Sequence, residues 1–130
     1  MSRASVVLGA TPLSRAFLAA TATPFGLKTE TIEPVHHAFR PMVEVAAFDV
    51  CELALVTAIQ AVEHGRPVVP LPITLAARFQ HGCLVQNARY SQLRPQDLPG
   101  RRVAVRAYSQ TTGAWVRTIL ENEHGVMSSA

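Results

Sequence analysis

The sequence predicts an α/β fold with a mostly parallel sheet. Short apolar runs typical of β-strands alternate with longer runs in which apolar residues recur at helical spacing. Ala, Val and Leu make up most of the apolar content and only 6% of the residues are aromatic, which suits a layered α/β domain better than an aromatic-rich β-sandwich. With 130 residues, 48% of them hydrophobic, the chain has material for one core.

Strands and helices alternate in the first half. The expected elements are a strand at 4–10, a helix at 12–22, a strand at 27–35 and helices at 39–48 and 49–65. The first strand closes at Gly9, and the period-two pattern of the second ends at Pro34. The last of these helices carries an apolar stripe at Leu55, Ile59 and Val62, before a glycine that stops it.

The second half is predicted to be richer in strands. The expected elements are strands at 67–75, 82–88 and 101–108 and a helix at about 110–123. Pro70 and Pro72 make the first of these an edge or connecting strand, because proline cannot donate to a sheet. The turn-rich segment 91–100 divides the chain unequally. We therefore expect a first α/β unit over 1–90, and over 91–130 a crossover with one βα unit too small for its own core.

Charge and composition disfavour several classes of function. The net charge is +3, but the arginines are scattered and only Arg101 and Arg102 are adjacent, which disfavours nucleic-acid binding. No apolar run approaches the roughly 18 residues of a membrane span. Pro12, Ser14 and Arg15 interrupt the N-terminal apolar stretch, so no signal peptide is predicted and the expected location is cytoplasmic.

Metal binding receives little support from the sequence, whereas a disulfide between the two cysteines stays open. Cys51 and Cys83 form no CxxC or Cys/His metal spacing, and each lies in an apolar run typical of a buried free thiol. The histidines lack an HExxH pattern, so no metal site is expected.

The stretch "SQTTG" is the first candidate site, because it lies between a predicted strand and the last helix. Backbone N–H groups at a helix start lack intrahelical partners and attract anions. Hydroxyl groups nearby add donors, and a glycine permits close approach. The candidate ligand-binding residues are Ser109, Gln110, Thr111, Thr112 and Gly113. The alternative, that Ser109 only caps the helix, stays open at this point.

Other candidates are titratable residues. Glu52, expected in the first turn of the 49–65 helix, either stabilises the helix dipole or contacts a substrate hydroxyl. His36 and His81 are candidate proton donors, since histidine exchanges protons near neutral pH. Arg78 offers a planar fork suited to a carboxylate.

Three segments of the chain are "HHAFRPMVEVAAFDVCELALVTAIQA", "RFQHGCLVQNARY" and "LPGRRVAVRAYSQTTGAWVRTIL". Together they resemble the 4,5-dihydroxyphthalate decarboxylase family. Relatives of this family are often labelled substrate-binding proteins of ABC importers. The resemblance runs from about residue 28 to about 125. It implies a fold like that of type II periplasmic binding proteins, two α/β lobes that clamp an acidic ligand. The chain would supply most of the first lobe and the start of the second. Members of the family are much longer, so the resemblance also implies a truncated chain.

The resemblance implies non-oxidative decarboxylation of a dihydroxylated aromatic dicarboxylate, a carboxy-lyase reaction. A dihydroxy ring can stabilise the dearomatised intermediate, so no cofactor is expected. We expect Arg78 and the 109–113 turn to anchor the carboxylates, with Thr11 approaching from the first lobe. We expect His81 or His36 to donate the proton, and Glu52 to contact a ring hydroxyl. The alternative is a solute-binding protein for a small carboxylate or other anion, with an ABC permease as its partner. A homo-oligomer is left open.

Overall fold

The computed structural model describes residues 3–21 and 24–128. The chain forms two compact units, Met1–Ala77 and Arg78–Ala130. We call them unit 1 and unit 2. The expected assignment of 1–90 and 91–130 to two lobes stays a prediction.

Unit 1 contains a three-stranded parallel sheet. Its strands are β1 (Ala4–Val7), β2 (Leu27–Thr29) and β3 (Val50–Cys51), in the order β2-β1-β3. Strand β1 is central and carries the two most buried large side chains of the sheet, Val6 and Val7, at 1% and 0% exposed. A mixed α/β structure with a small parallel sheet is therefore confirmed, in agreement with the alternation of strands and helices in the sequence.

Four α-helices overlap the predicted helices, although the third begins later than expected. They are α1 (Pro12–Thr21), α2 (Phe39–Val45) and α3 (Leu55–Glu63) in unit 1, and α4 (Thr111–His124) in unit 2. Helix α4 is followed by the capping residue Gly125, whose φ of 67° is the left-handed conformation that glycine adopts most readily. No helix in the described ranges, 3–21 and 24–128, is long and apolar enough to cross a membrane.

The predicted start of the 49–65 helix is wrong. Residues 50 and 51 form β3, and the Glu52 N–H continues the ladder by donating to the Val7 carbonyl at 2.8 Å. Helix α3 begins only at Leu55, after Ala54 in an extended conformation. Val50 and Cys51 have only modest helix propensity, and pairing with β1 places them in the sheet instead.

Several predicted strands are shorter than expected or lack a partner strand. Residues 27–35 pair only over 27–29, and Glu30 adds one bond to Val6. Residues 67–75, 82–88 and 101–108 form no β-ladder among the described residues; 81–83 is instead a turn of 3-10 helix. In segment 67–75, proline residues remove backbone N–H donors. Segments 82–88 and 101–108 have no partner strand in the described part of unit 2, and a strand is stable only beside another strand.

The start of α1 is fixed by a reciprocal pair of hydroxyl groups. The Ser14 N–H donates to Thr11 Oγ1 at 3.1 Å, and the Thr11 N–H donates to Ser14 Oγ at 2.9 Å. Ser14 Oγ also donates to the Gly9 carbonyl. This arrangement is the hydroxyl analogue of a capping box, and Pro12 occupies the first helical position, where no N–H is needed.

We expect Ser14→Ala to lower the free energy of unfolding by about 2 kcal/mol. Ser14 is only 1% exposed, and its hydroxyl contacts the Thr11 N–H, the Thr11 hydroxyl and the Gly9 carbonyl. Its removal deletes these buried bonds and leaves the Thr11 N–H and the Gly9 carbonyl with only their 2.8 Å bond to each other. Urea denaturation followed by circular dichroism measures the loss. Ser91→Ala, at an exposed serine, is the matched control and should change little. A loss below about 0.5 kcal/mol would show that water replaces the hydroxyl.

Candidate functional site

The Glu52 carboxylate lies beside the Gly9 backbone in unit 1. Gly9 follows β1 and Glu52 follows β3, so both lie at the carboxyl edge of the sheet, where ligands of α/β proteins gather. The Gly9 N–H donates to Glu52 Oε2 at 2.9 Å. A Cβ added at Gly9 would lie 3.1 Å from that oxygen and 3.4 Å from Val35 Cγ1. The small residue therefore lets the carboxylate approach the backbone.

Glu52 does not interact with a helix start, as the helix-dipole alternative required. It lies three residues before α3 and is partly buried rather than on an exposed first turn. Next to Gly9, a shallow cavity of about 440 Å³ is lined by Ala10 and the segment 32–35. The carboxylate is thus held at the sheet edge, close to a surface depression.

The other two candidates in unit 1 lie near this edge. The Thr11 hydroxyl is already used at the start of α1, where it contacts Ser14 Oγ at 2.9 Å. His36 is exposed in the 3-10 helix Val35–Ala38, and its ring meets that of His37 edge to face with centroids 4.6 Å apart. The Thr11 hydroxyl therefore stabilises the start of α1, whereas the His36 imidazole is exposed to solvent.

Cys51 precedes Glu52 and is an unreactive thiol by its surroundings. Desolvation by burial, followed by the nearby Glu52 charge, raises the pKa of Cys51 to about 11. Its Sγ donates to the Glu52 carbonyl at 3.1 Å. This environment disfavours the thiolate that nucleophilic catalysis would require.

In unit 2, the "SQTTG" turn leads into α4. Helix α4 begins at Thr111 with Gln110 as its N-cap residue, and the Gln110 side chain makes no capping hydrogen bond. Ser109 lies one position earlier and is exposed, so the alternative in which Ser109 caps the helix is wrong. The positive end of the helix dipole lies at this turn, and helix starts in general attract anions.

The structure brings two of the predicted anchoring residues together. Arg78 Nη2 donates to Thr112 Oγ1 at 3.4 Å, so the guanidinium lies at the first turn of α4. His81 lies elsewhere: its Nε2 is 3.1 Å from Glu123 Oε1, close to the other end of the helix. From residue 112 to residue 123 the helix rises roughly 16 Å.

Sequence reasoning missed Arg117. Its Nη2 donates to the Tyr108 carbonyl at 3.0 Å, and its guanidinium carbon lies 3.9 Å from the centre of the Tyr108 ring. The spacing of four residues from Gly113 could have revealed it, because residues i and i+4 share a helix face. A cavity of about 470 Å³ in unit 2 is lined by Thr112, Gly113 and Arg117, among other residues.

No cluster of three or more His, Cys, Asp or Glu side chains that could hold a metal ion occurs within 3–21 and 24–128. The arginine, threonine and backbone donors of unit 2 instead suit an oxyanion ligand. The carboxylate of unit 1 suits a hydrogen-bond donor, such as a hydroxyl group.

Comparison with known proteins gives two curated relatives. The chain is 33% identical over 85 residues to a protein named 4,5-dihydroxyphthalate decarboxylase from Comamonas testosteroni, which covers 65% of this chain and 26% of the relative. It is 31% identical over 86 residues to a protein of the same name from Pseudomonas putida, covering 65% of this chain and 33% of the relative. The chain thus spans about a quarter to a third of the length of these relatives.

No protein-family model and no solved structure matches the chain. The likeness to the decarboxylases therefore comes from sequence alone. Over the matched 65% of the chain, at 31–33% identity, it supports a relation to the 4,5-dihydroxyphthalate decarboxylases.

Proposed function

We propose that the chain takes part in the non-oxidative decarboxylation of a dihydroxylated aromatic dicarboxylate resembling 4,5-dihydroxyphthalate. The observation that carries the proposal is the 33% identity over 85 residues to a protein of that name. The guanidinium at the first turn of α4 supports it, because this reaction needs a carboxylate anchor. The type II periplasmic-binding-protein fold stays a prediction.

The proposed reaction needs no oxidant or reductant. A proton adds to the ring carbon that bears the departing carboxylate, and the ring loses its aromaticity. The bond from that carbon to the carboxylate then breaks, its electron pair returns to the ring, and carbon dioxide leaves. Hydrogen replaces the carboxylate, so 4,5-dihydroxyphthalate becomes 3,4-dihydroxybenzoate.

Each proposed role follows from the chemistry of a side chain. Arg78 and the 109–113 turn anchor a carboxylate through guanidinium, hydroxyl and backbone donors. Glu52 accepts the proton of a ring hydroxyl, which increases the electron density of the ring and favours protonation at carbon. His36 or His81 donates the proton. The imidazole of His36 is exposed, whereas the Nε2 of His81 is hydrogen-bonded to Glu123.

Product analysis tests the proposal directly. The purified chain is incubated with 4,5-dihydroxyphthalate, and carbon dioxide and 3,4-dihydroxybenzoate are measured, with equal amounts expected. Phthalate, which lacks the two hydroxyls, should bind without turnover, because its ring cannot stabilise the dearomatised intermediate in the same way. Binding of 4,5-dihydroxyphthalate without either product would replace the decarboxylase by a binding module.

We expect Arg78→Gln to raise the KM for 4,5-dihydroxyphthalate by about tenfold, the effect of losing one hydrogen bond to a charged group. The kcat should change less, because a carboxylate anchor that binds the ground state and the transition state alike acts mainly on KM. Steady-state assays measure both constants. Arg89→Gln, at an exposed arginine of the same unit, is the control. An unchanged KM would remove Arg78 from the binding site.

A further inference from the structure

A segment of unit 2, residues 102–106, has a backbone without hydrogen-bond partners. Within the described residues, 3–21 and 24–128, none of its N–H or carbonyl groups makes a hydrogen bond. Residues 102–105 form no helix, turn or bend, and every residue of the segment is exposed. Its sequence, "RVAVR", has the alternation and the β-branched residues of a strand. This open segment, as we call it, thus carries the donors and acceptors of a sheet edge.

The open segment offers two different faces to a neighbouring strand. Successive side chains of a strand point to opposite faces, so pairing would place Arg102 and Arg106 on one face and Val103 and Val105 on the other. The two valines are 50% and 49% exposed, which leaves apolar surface to be covered. Residues 103–106 also border the unit 2 cavity of about 470 Å³, which gives room for the side chains of an added strand.

The charge around the open segment selects among possible occupants. Neither Arg102 nor Arg106 forms an ion pair in the described part of the chain, and residues 98–120 include four arginines and no Asp or Glu. An antiparallel pair of open segments centred on Ala104 would set Arg102 of one copy opposite Arg106 of the other. Like charges directly opposite each other destabilise a sheet, so a second copy of this chain fits poorly. Carboxylate side chains fit well.

We propose that the open segment is a docking edge for an extended peptide segment of a partner protein in which acidic and apolar residues alternate. The peptide pairs with residues 102–106 as an added strand, through main-chain hydrogen bonds. Its carboxylates meet Arg102 and Arg106, and its apolar side chains lie against Val103 and Val105. The interaction is separate from the proposed decarboxylation, because it uses none of the residues assigned to that reaction.

Fluorescence anisotropy of the purified chain with the labelled peptide Glu-Val-Glu-Val-Glu, blocked at both ends, tests the docking edge. Lys-Val-Lys-Val-Lys reverses the charge, and Glu-Glu-Glu-Val-Val keeps the charge and composition but loses the alternation. Both should bind more weakly than the alternating acidic peptide. The double variant Arg102→Gln, Arg106→Gln should raise the Kd of that peptide by about tenfold, the effect of losing two cross-strand ion pairs. Arg89→Gln, at an exposed arginine of the same unit, should not alter it.

Strand pairing is separated from simple charge attraction by two further measurements. Hydrogen exchange followed by mass spectrometry should show fast exchange of the 102–106 amides in the original chain, slowed by at least about tenfold when the peptide is bound. Ala104→Pro and Val105→Pro remove neighbouring N–H groups, which point to opposite edges of a strand. One of these variants should therefore lose binding while the other largely keeps it.

Several results would overturn the docking edge. They are no binding of the alternating acidic peptide, equal binding of the peptide without alternation, and protection outside 102–106 only. Dimerisation of the chain that protects 102–106 without peptide would assign the edge to a second copy and so overturn it as well. If the proline variants do not fold, as judged by far-ultraviolet circular dichroism, the protection of 102–106 in the original chain decides.

Discussion

Glu52→Gln is expected to reduce the turnover of 4,5-dihydroxyphthalate by about a hundredfold, the lower part of the range for a general base. The amide has nearly the same size as the carboxylate, and its oxygen can still accept the Gly9 N–H that Glu52 Oε2 accepts at 2.9 Å. What the amide loses is the ability to take a proton from a ring hydroxyl. Steady-state assays on the variant and the original chain measure the effect.

The free energy of unfolding separates a chemical role of Glu52 from a structural one. Because the bond to Gly9 survives, Glu52→Gln should unfold at nearly the same urea concentration as the original chain. Glu63→Gln, at an exposed glutamate of the same unit, is the matched control and should leave turnover unchanged. A variant that keeps its activity but loses about 1 kcal/mol of stability would show that Glu52 only ties β3 to the loop after β1.

Helix positions were predictable from the sequence because their signals are local. Apolar spacing, Pro12 at the start of α1 and the glycine after α4 are each visible within one segment, and α1 and α4 lie near their expected places. Strands are different, because a strand exists only beside another strand. Residues 101–108 have a β-type pattern, yet Val103 and Val105 remain about half exposed, at 50% and 49%, with no ladder in the described part of unit 2.

In the candidate site, too, contacts between residues far apart in the sequence could not be predicted. The "SQTTG" stretch was recognisable because its hydroxyls and glycine are consecutive in the chain. The contact of Glu52 with Gly9 joins residues 43 positions apart, and that of Arg78 with Thr112 joins residues 34 positions apart. A single sequence contains no record of such pairs. Arg117 escaped notice for a related reason: its importance comes from Tyr108 and Gly113, which the fold places under its guanidinium.

Cys51 is expected to react with iodoacetamide about a hundredfold more slowly at pH 8 than an ordinary thiol. Its pKa of about 11 lies two units above the ordinary value of 9.0, and each unit lowers the thiolate population about tenfold below both values. Because the thiolate is the nucleophile, the rate should keep rising with pH up to about 11 instead of levelling near 9. Mass spectrometry of the Cys51 peptide, from pH 7 to the highest pH at which the chain stays folded, measures the profile.

The shape of the pH profile distinguishes a raised pKa of Cys51 from restricted access of iodoacetamide to its thiol. A thiol that is merely shielded reacts slowly at every pH but levels off near its ordinary pKa, so levelling near 9 would contradict the raised value. The same chain in denaturant is the reference, since unfolding removes the desolvation that is the main cause of the shift. Glu52→Gln removes the second cause, the neighbouring negative charge, and should move the inflection from about 11 partway towards 9.0. An inflection that stays in place would mean that burial alone holds the Cys51 proton, and that the Glu52 charge does not act on its neighbour.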